Sequence, residues 1–139
     1  MGREDVSARC SVIEECYEFM LAYAGQGLSG RENSQSHSQV REFLNRAVEA
    51  LSGLSEAYSS TVQQENFQPA QRYYAFQAVL DNDTRDSLAT IQLVLAQTII
   101  SSQLIDNLNA SIHLRALLTD LFLIDEILKP QQVAPPALP

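Results

Sequence analysis

The feature that most constrains this chain is a spacing. Val6, Cys10, Ile13, Tyr17, Met20 and Ala24 follow one another at intervals of 4-3-4-3-4. Val40, Leu44, Ala47, Leu51, Leu54 and Tyr58 repeat those intervals. Residues three and four apart share one face of an α-helix, whereas a strand sends such a pattern to both of its faces. Two such seams therefore predict two helices built to pack along partners at a shallow angle. A second stripe, Val12, Cys16, Phe19 and Tyr23, widens the first apolar face enough to touch more than one neighbour.

Punctuation divides the rest. Gly25 and Gly27 stop the first helix. They also open GQGLSG, residues 25–30, which spells G-x-G-x-x-G. A dinucleotide site needs those glycines between a strand and a helix. Here they follow an amphipathic helix, so they read as a terminus and a linker. Residues 28–39, LSGRENSQSHSQ, read as a polar loop that contains His37. Gly53 falls inside the second helix at a cost of about 1 kcal/mol against alanine, which a close helix contact would explain.

Residues 59–67 read as a polar connection. Pro69 opens a short third helix marked by Ala70, Tyr73, Phe76 and Leu80. Asp81-Asn82-Asp83-Thr84 reads as a turn and N-cap. Between Ala70 and Lys129 there is neither Gly nor Pro. Leu88 to Ile105 and Ile112 to Leu128 read as two long helices with a weak break near Asn107-Leu108-Asn109. One bent helix over 84–128 is the alternative. Pro130 ends the last helix, and PQQVAPPALP predicts an extended, polyproline-like tail carrying a PxxP match at Pro136 and Pro139. The expectation is an all-α domain, residues 1–129, built as a four- to five-helix bundle, mostly antiparallel, with a polar loop after the first helix and a Pro-rich tail over 130–139.

Charge narrows the function. At 139 residues the chain has room for one core, and its formal net charge is -8. The nine cations are scattered from Arg3 to Lys129 with no basic stripe. Nucleic-acid binding needs such a stripe to neutralise phosphates, and an anionic membrane surface repels this balance. Eight of the nine are arginine, which reads as a mark of a GC-rich, bacterial genome. MGREDVSARC has no apolar run, so no signal peptide is expected. Residues 87–105 are uncharged, but Gln92, Gln97, Thr98, Ser101, Ser102 and Gln103 interrupt them too often for a membrane span. Residues 110–128 carry His113, Arg115, Asp120, Asp125 and Glu126. A soluble, cytoplasmic protein is expected.

The candidates for chemistry are few. Cys10 and Cys16 lie about 120° apart around a helix, so they cannot bridge each other and read as small buried apolar residues. Glu14, Glu15 and Glu18 invite a di-iron centre, but that centre also needs Glu-x-x-His pairs, and the chain has none. They read as a solvated acidic face, and no metal or cofactor is expected. His113 has Asp106 and Asp120 seven residues to either side, and a carboxylate could orient it as a general base. No motif places a nucleophile beside it, since Ser111 points elsewhere on a helix. The simpler reading is a hydrogen-bonded structural histidine. Arg72, Tyr73 and Tyr74 read as a packing edge. If a small molecule binds, its pocket lies between helices and is lined by Tyr17, Met20, Phe76 and His113.

The last helix makes the largest demand. Leu114, Leu117, Leu118, Leu121, Phe122, Leu123, Ile124, Ile127 and Leu128 cover nearly its whole circumference. A helix apolar all round is buried all round. It is either the central element of the core or part of a subunit interface, with a homodimer as the commonest closure. The interface residues expected are Leu114, Leu117, Leu118, Leu121, Phe122, Ile124 and Leu128. The function expected is a non-enzymatic helical protein acting through protein–protein contacts, as an adaptor, assembly factor or regulatory subunit. It would pair with itself and with another protein. A small-molecule-binding bundle is the alternative, and an enzyme using His113 the third reading.

Overall fold

The computed structural model describes residues 2–27 and 34–129, with the side chain of Ser34 excepted. Among these residues every element is an α-helix: α1 (Arg3–Gly25), α2 (Ser34–Ser52), α3 (Leu54–Gln64), α4 (Ala70–Leu95), α5 (Ser102–Ala110) and α6 (Ile112–Leu128). The tail expected over 130–139 lies outside the described residues. α1 packs against α2, α3, α5 and α6, and α4 packs against α2, α3, α5 and α6. The core lies between these two long helices.

Both seams face it. Val6, Cys10, Ile13 and Met20 are buried on α1, with Tyr17 and Ala24 half-buried at the margin. All six members of the second seam are buried. Cys10 and Cys16 are free and buried, and loss of solvation pushes each thiol up to about 12. α1 ends at Gly25, and Gly27 takes the left-handed conformation (φ 67°) that glycine adopts without strain.

The second seam is not one helix. It breaks at Gly53, which separates α2 from α3. The cause is Arg9 of α1. Its guanidinium donates to the carbonyls of Glu49 (3.2 Å) and Ala50 (3.1 Å), acceptors left open in the last turn of α2. A Cβ at Gly53 would stand 2.7 Å from the Arg9 guanidinium carbon. The close contact expected at Gly53 is thus an arginine, not a second backbone.

Between the first helix and the end of α4, the chain differs from the sequence reading towards more helix. α2 starts at Ser34, so His37 is helical, and residues 28–33 of the expected loop lie outside the described residues. α3 runs to Gln64 because Thr61 and Val62 are buried within the polar-looking stretch. It ends where Asn66 turns left-handed (φ 53°), with Phe67 N–H donating to Val62 O and Asn66 N–H to Gln63 O. That pair of bonds is the Schellman closure, with asparagine in the place of glycine. α4 continues straight through Asp81-Asn82-Asp83-Thr84. Leu80, Thr84, Ser87, Ile91 and Val94 form one buried stripe, and Thr84, next to Asp83, disguises its start as a cap.

Past α4 the break falls early. Residues 96–101 leave the helix, and Tyr23 pins them by donating from Oη to Ile100 O (2.6 Å) while Ser102 Oγ donates to Tyr23 O (2.6 Å). Arg41 of α2 donates to Leu95 O (2.9 Å), Thr98 O (3.2 Å) and Gln97 O, closing the end of α4. The next break is at Ser111, not at 107–109. Its side chain accepts from Leu114 N (3.2 Å) and caps α6, as Ser101 caps α5 through Leu104 N (3.1 Å). Neither one continuous helix nor a helix over 88–105 forms. No helix among the described residues is long and apolar enough to cross a membrane.

Candidate functional site

α4 and α6 run past each other in opposite directions. Asp83 meets Asp120, Ser87 Oγ donates to His113 O (3.1 Å), and Phe76 shares a cavity with Leu123 and Ile127. That cavity, of about 780 Å³, is an open groove. One wall is aromatic: Tyr58 from α3, Phe67 from the turn, and Tyr73 and Phe76 from α4. The rings brace one another, Phe67 lying 5.1 Å from Tyr73 and Tyr58 standing edge-on to Phe76 at 6.0 Å. Tyr58 Oη donates to Tyr73 O (2.9 Å), and burial pushes its phenol up to about 12. The other wall is the last two turns of α6. Ile124 and Leu128 are buried there, while Leu123 and Ile127 are 48% and 47% exposed.

The rim is basic although the chain is acidic. Arg3, Arg72 and Lys129 border the groove. Arg3 is committed: Nε meets Glu65 Oε1 at 2.6 Å, Nη1 donates to Leu128 O, and its guanidinium lies 5.3 Å above the Phe67 ring. Lys129 pairs with Glu126 at 3.2 Å. Arg72 is exposed and makes no ion pair or side-chain hydrogen bond with the described residues. Among those residues, no carboxylate, imidazole, thiol or aliphatic hydroxyl lines the groove. Its apolar floor can hold an apolar body, and its edge can donate hydrogen bonds from Arg72.

Phe76 is the one residue of the expected pocket found here. Met20 is buried in the core, and Tyr17 is half-buried on α1. His113 is half-exposed near the start of α6, with Nδ1 4.0 Å from Asp86 Oδ2. The structure does not bring these three to the groove. Nor do Asp106 and Asp120 flank His113, because the break at Ser111 takes Asp106 onto a different helix and Asp120 turns into the α4–α6 contact. Of the expected interface residues, Leu114, Leu117, Leu118, Leu121, Ile124 and Leu128 sit in the chain's own core, and Phe122 is 60% exposed. The exposed apolar face of α6 is instead Ile112, Leu123 and Ile127, with half-buried Ala116 between them.

No family model, curated protein or solved structure matches the chain. Its functional reading therefore rests on geometry. Sequence reasoning placed Arg3, Tyr58, Phe67, Pro69, Arg72, Tyr73, Leu123, Ile127 and Lys129 in neither the expected pocket nor the expected interface. Phe67 was the available signal: a lone aromatic in a polar stretch, just ahead of Pro69.

Further along the α4–α6 contact lies an acid pair. Asp120 is 5% exposed and faces Asp83. Burial first, then the hydrogen bond to Asp83 and its charge, push the Asp120 carboxyl up to about 7. Asp120 Oδ2 and the buried Thr84 Oγ1 have no hydrogen-bond partner among the described residues.

Proposed function

We propose that the chain is a non-enzymatic, cytoplasmic helical-bundle protein that works through protein–protein contacts, as an adaptor, assembly factor or regulatory subunit. The α4–α6 groove receives an apolar segment of its partner, flanked by acidic residues. The observation that carries this reading is the pairing of half-exposed Leu123 and Ile127 with a braced aromatic wall, beside an Arg72 that has no acidic mate among the described residues. An aromatic and arginine cluster around an apolar centre is the composition of an interface hot spot. Elsewhere the surface of a chain with net charge -8 repels such a segment, so the basic rim also sets where it docks.

The test is affinity capture from the source cell with mass spectrometry, comparing Ile127→Glu and Arg72→Glu with Phe122→Glu. All three positions are on the surface, so helicity by circular dichroism should be unchanged. One partner should be lost with either groove variant and kept with Phe122→Glu. Capture indifferent to both groove variants would sink the reading. Self-association rests on the exposed Ile112, Phe122, Leu123 and Ile127, and sedimentation equilibrium reads it directly. A small-molecule role is the second reading, favoured by a groove volume inside the usual range of about 300–1,000 Å³ for ligand sites.

A further inference from the structure

We infer that the contact between Asp83 and Asp120 is a proton-operated latch on the groove: a proton held between the two carboxyls draws α4 and α6 together, and its loss parts the helices and widens the groove. The inference rests on the groove being the docking surface, and it adds what opens that surface.

The placement of the pair carries it. Asp120 is buried in the α4–α6 contact and hydrogen-bonds Asp83 of α4. Two ionised carboxylates are both acceptors, so one of the pair must keep its proton for that bond to form. Without the proton, like charges face each other at a buried site where water screens them little. Phe76 lies seven residues before Asp83, and Ile127 seven residues after Asp120. Seven residues are close to two helical turns, so each stands about 10 Å farther along nearly the same face of its own helix. The groove is therefore the next stretch of the same helix pair, and open space separates its walls in place of packed side chains. In the other direction the helices are tied. Ser87 Oγ donates to His113 O, and Arg41 closes the end of α4. Repulsion between residues 83 and 120 is relieved by movement on the groove side.

No cation among the described residues pairs with either carboxyl. On α4, Arg85 is engaged by Asp81, and Asp86 faces His113. On α1, Cys10 and Glu14 face Asp125. The charged residue of α5 is Asp106, which is exposed and adds only negative charge. On α6 itself, Arg115 is exposed. The Asp86–His113 contact attracts only while the imidazole is protonated, so it weakens in the same direction as pH rises. Both its partners are half-exposed, and water screens it. A partner that enters the widened groove binds more tightly once the proton has left, and by linkage its binding draws the proton off.

The test uses the full chain with nitroxides at Ala75→Cys on α4 and Phe122→Cys on α6, two exposed positions outside the groove lining. Cys10 and Cys16 are each 2% exposed and stay unlabelled under native conditions. Electron–electron double resonance then measures the separation of the walls at pH 5 and pH 9. It should lengthen at pH 9 by about 1–2 Å, the usual size of a helix shift, with a midpoint at about 7. A second pair at the tied end, Ala89→Cys with Arg115→Cys, should keep its distance. Asp120→Asn and Asp83→Asn should each hold the walls at their pH 5 separation throughout. Circular dichroism should show the same helicity at both pH values.

A wall separation indifferent to pH would overturn the inference. So would a lengthening that survives both asparagine variants, since it would belong to Asp86 and His113, or an equal lengthening of the tied pair, since the whole contact would then be loosening. Any of these leaves the partner reading standing if Ile127→Glu still loses the captured protein. If the groove widens as described and Ile127→Glu loses nothing, the docking reading is what fails.

Discussion

Replacing Asp120 by asparagine should stabilise this protein at neutral pH and leave it unchanged in acid. Asp120 is buried against Asp83 across the α4–α6 contact, and its carboxyl ionises at about 7 in place of its usual 3.8. Between those two values the unfolded chain has released a proton that the folded chain still holds. Stability therefore falls as pH rises through that window, by about 1.4 kcal/mol per pH unit. The loss is complete above pH 7 and has a ceiling of about 4 kcal/mol. Small movements of the pair and entering water relieve part of it, so a gain of about 1–3 kcal/mol is expected for Asp120→Asn at pH 8. Asparagine keeps the shape, cannot ionise, and offers N–H donors to the Asp83 carboxylate. The assay is urea denaturation of both proteins at pH 4 and pH 8, with equal m values required before the free energies are compared. The difference should be near zero at pH 4 and appear as pH rises towards 7. Equal gains at both pH values, or a loss at pH 8, would refute the assignment of Asp120 as a buried acid held protonated by its neighbour.

Two further substitutions check the helix ends and the disguised stripe. Gly53→Ala should destabilise by about 1 kcal/mol by displacing the Arg9 guanidinium from two carbonyls, yet become neutral or stabilising by up to about 1 kcal/mol in an Arg9→Ala background, where alanine only improves the helix. A double-mutant cycle by chemical denaturation measures that change of sign, and additive effects would show that Arg9 is not what reserves the space. Thr84→Val should raise stability by about 1 kcal/mol, because it swaps a buried hydroxyl with no partner for a methyl of the same shape. A lower melting temperature in Thr84→Val would mean that the hydroxyl has a partner after all.

The helical class was legible because both seams are written in apolar residues that no other element can use. The same pattern failed where burial is carried by polar residues. Thr84 and Ser87 occupy core-facing positions of α4, and Thr84, beside Asp81 and Asp83, reads as a cap. Capping propensity is local, and a stripe of five buried positions outweighs it. The opposite error occurred in α6. Nine apolar residues implied burial all round, yet three of them, Phe122, Leu123 and Ile127, are exposed. Hydrophobic residues are common on surfaces, so counting them around a helix overestimates its burial. Serine supplied two helix starts that an apolar pattern could not locate, since Ser101 and Ser111 are ordinary in sequence and decisive only once Leu104 N and Leu114 N stand above them. The groove escaped for a similar reason. Its walls come from α3, α4, α6 and the turn at Phe67, and no spacing along the chain relates Tyr58 to Ile127.

The arginines join these points. Among the described residues, none of the six helices has a basic residue in its own last turn, where a cation would balance the negative end of the helix dipole. Instead, the positive charge is brought in from another helix. Arg9 of α1 serves the end of α2, Arg41 of α2 serves the end of α4, and Arg3 of α1 serves the end of α6. Each contact joins a helix terminus to a different element, so it forms only in the folded chain and helps to specify which helix lies beside which. A planar fork of five donors can span two or three carbonyls at once, as Arg41 does, whereas an ammonium is a compact point charge. The excess of arginine over lysine therefore has a structural reason at these three positions, whatever the genome contributes. It also explains why Arg72 stands out. It borders the groove with the same fork, and among the described residues it has no helix end and no carboxylate to hold, which leaves its donors for whatever enters the groove.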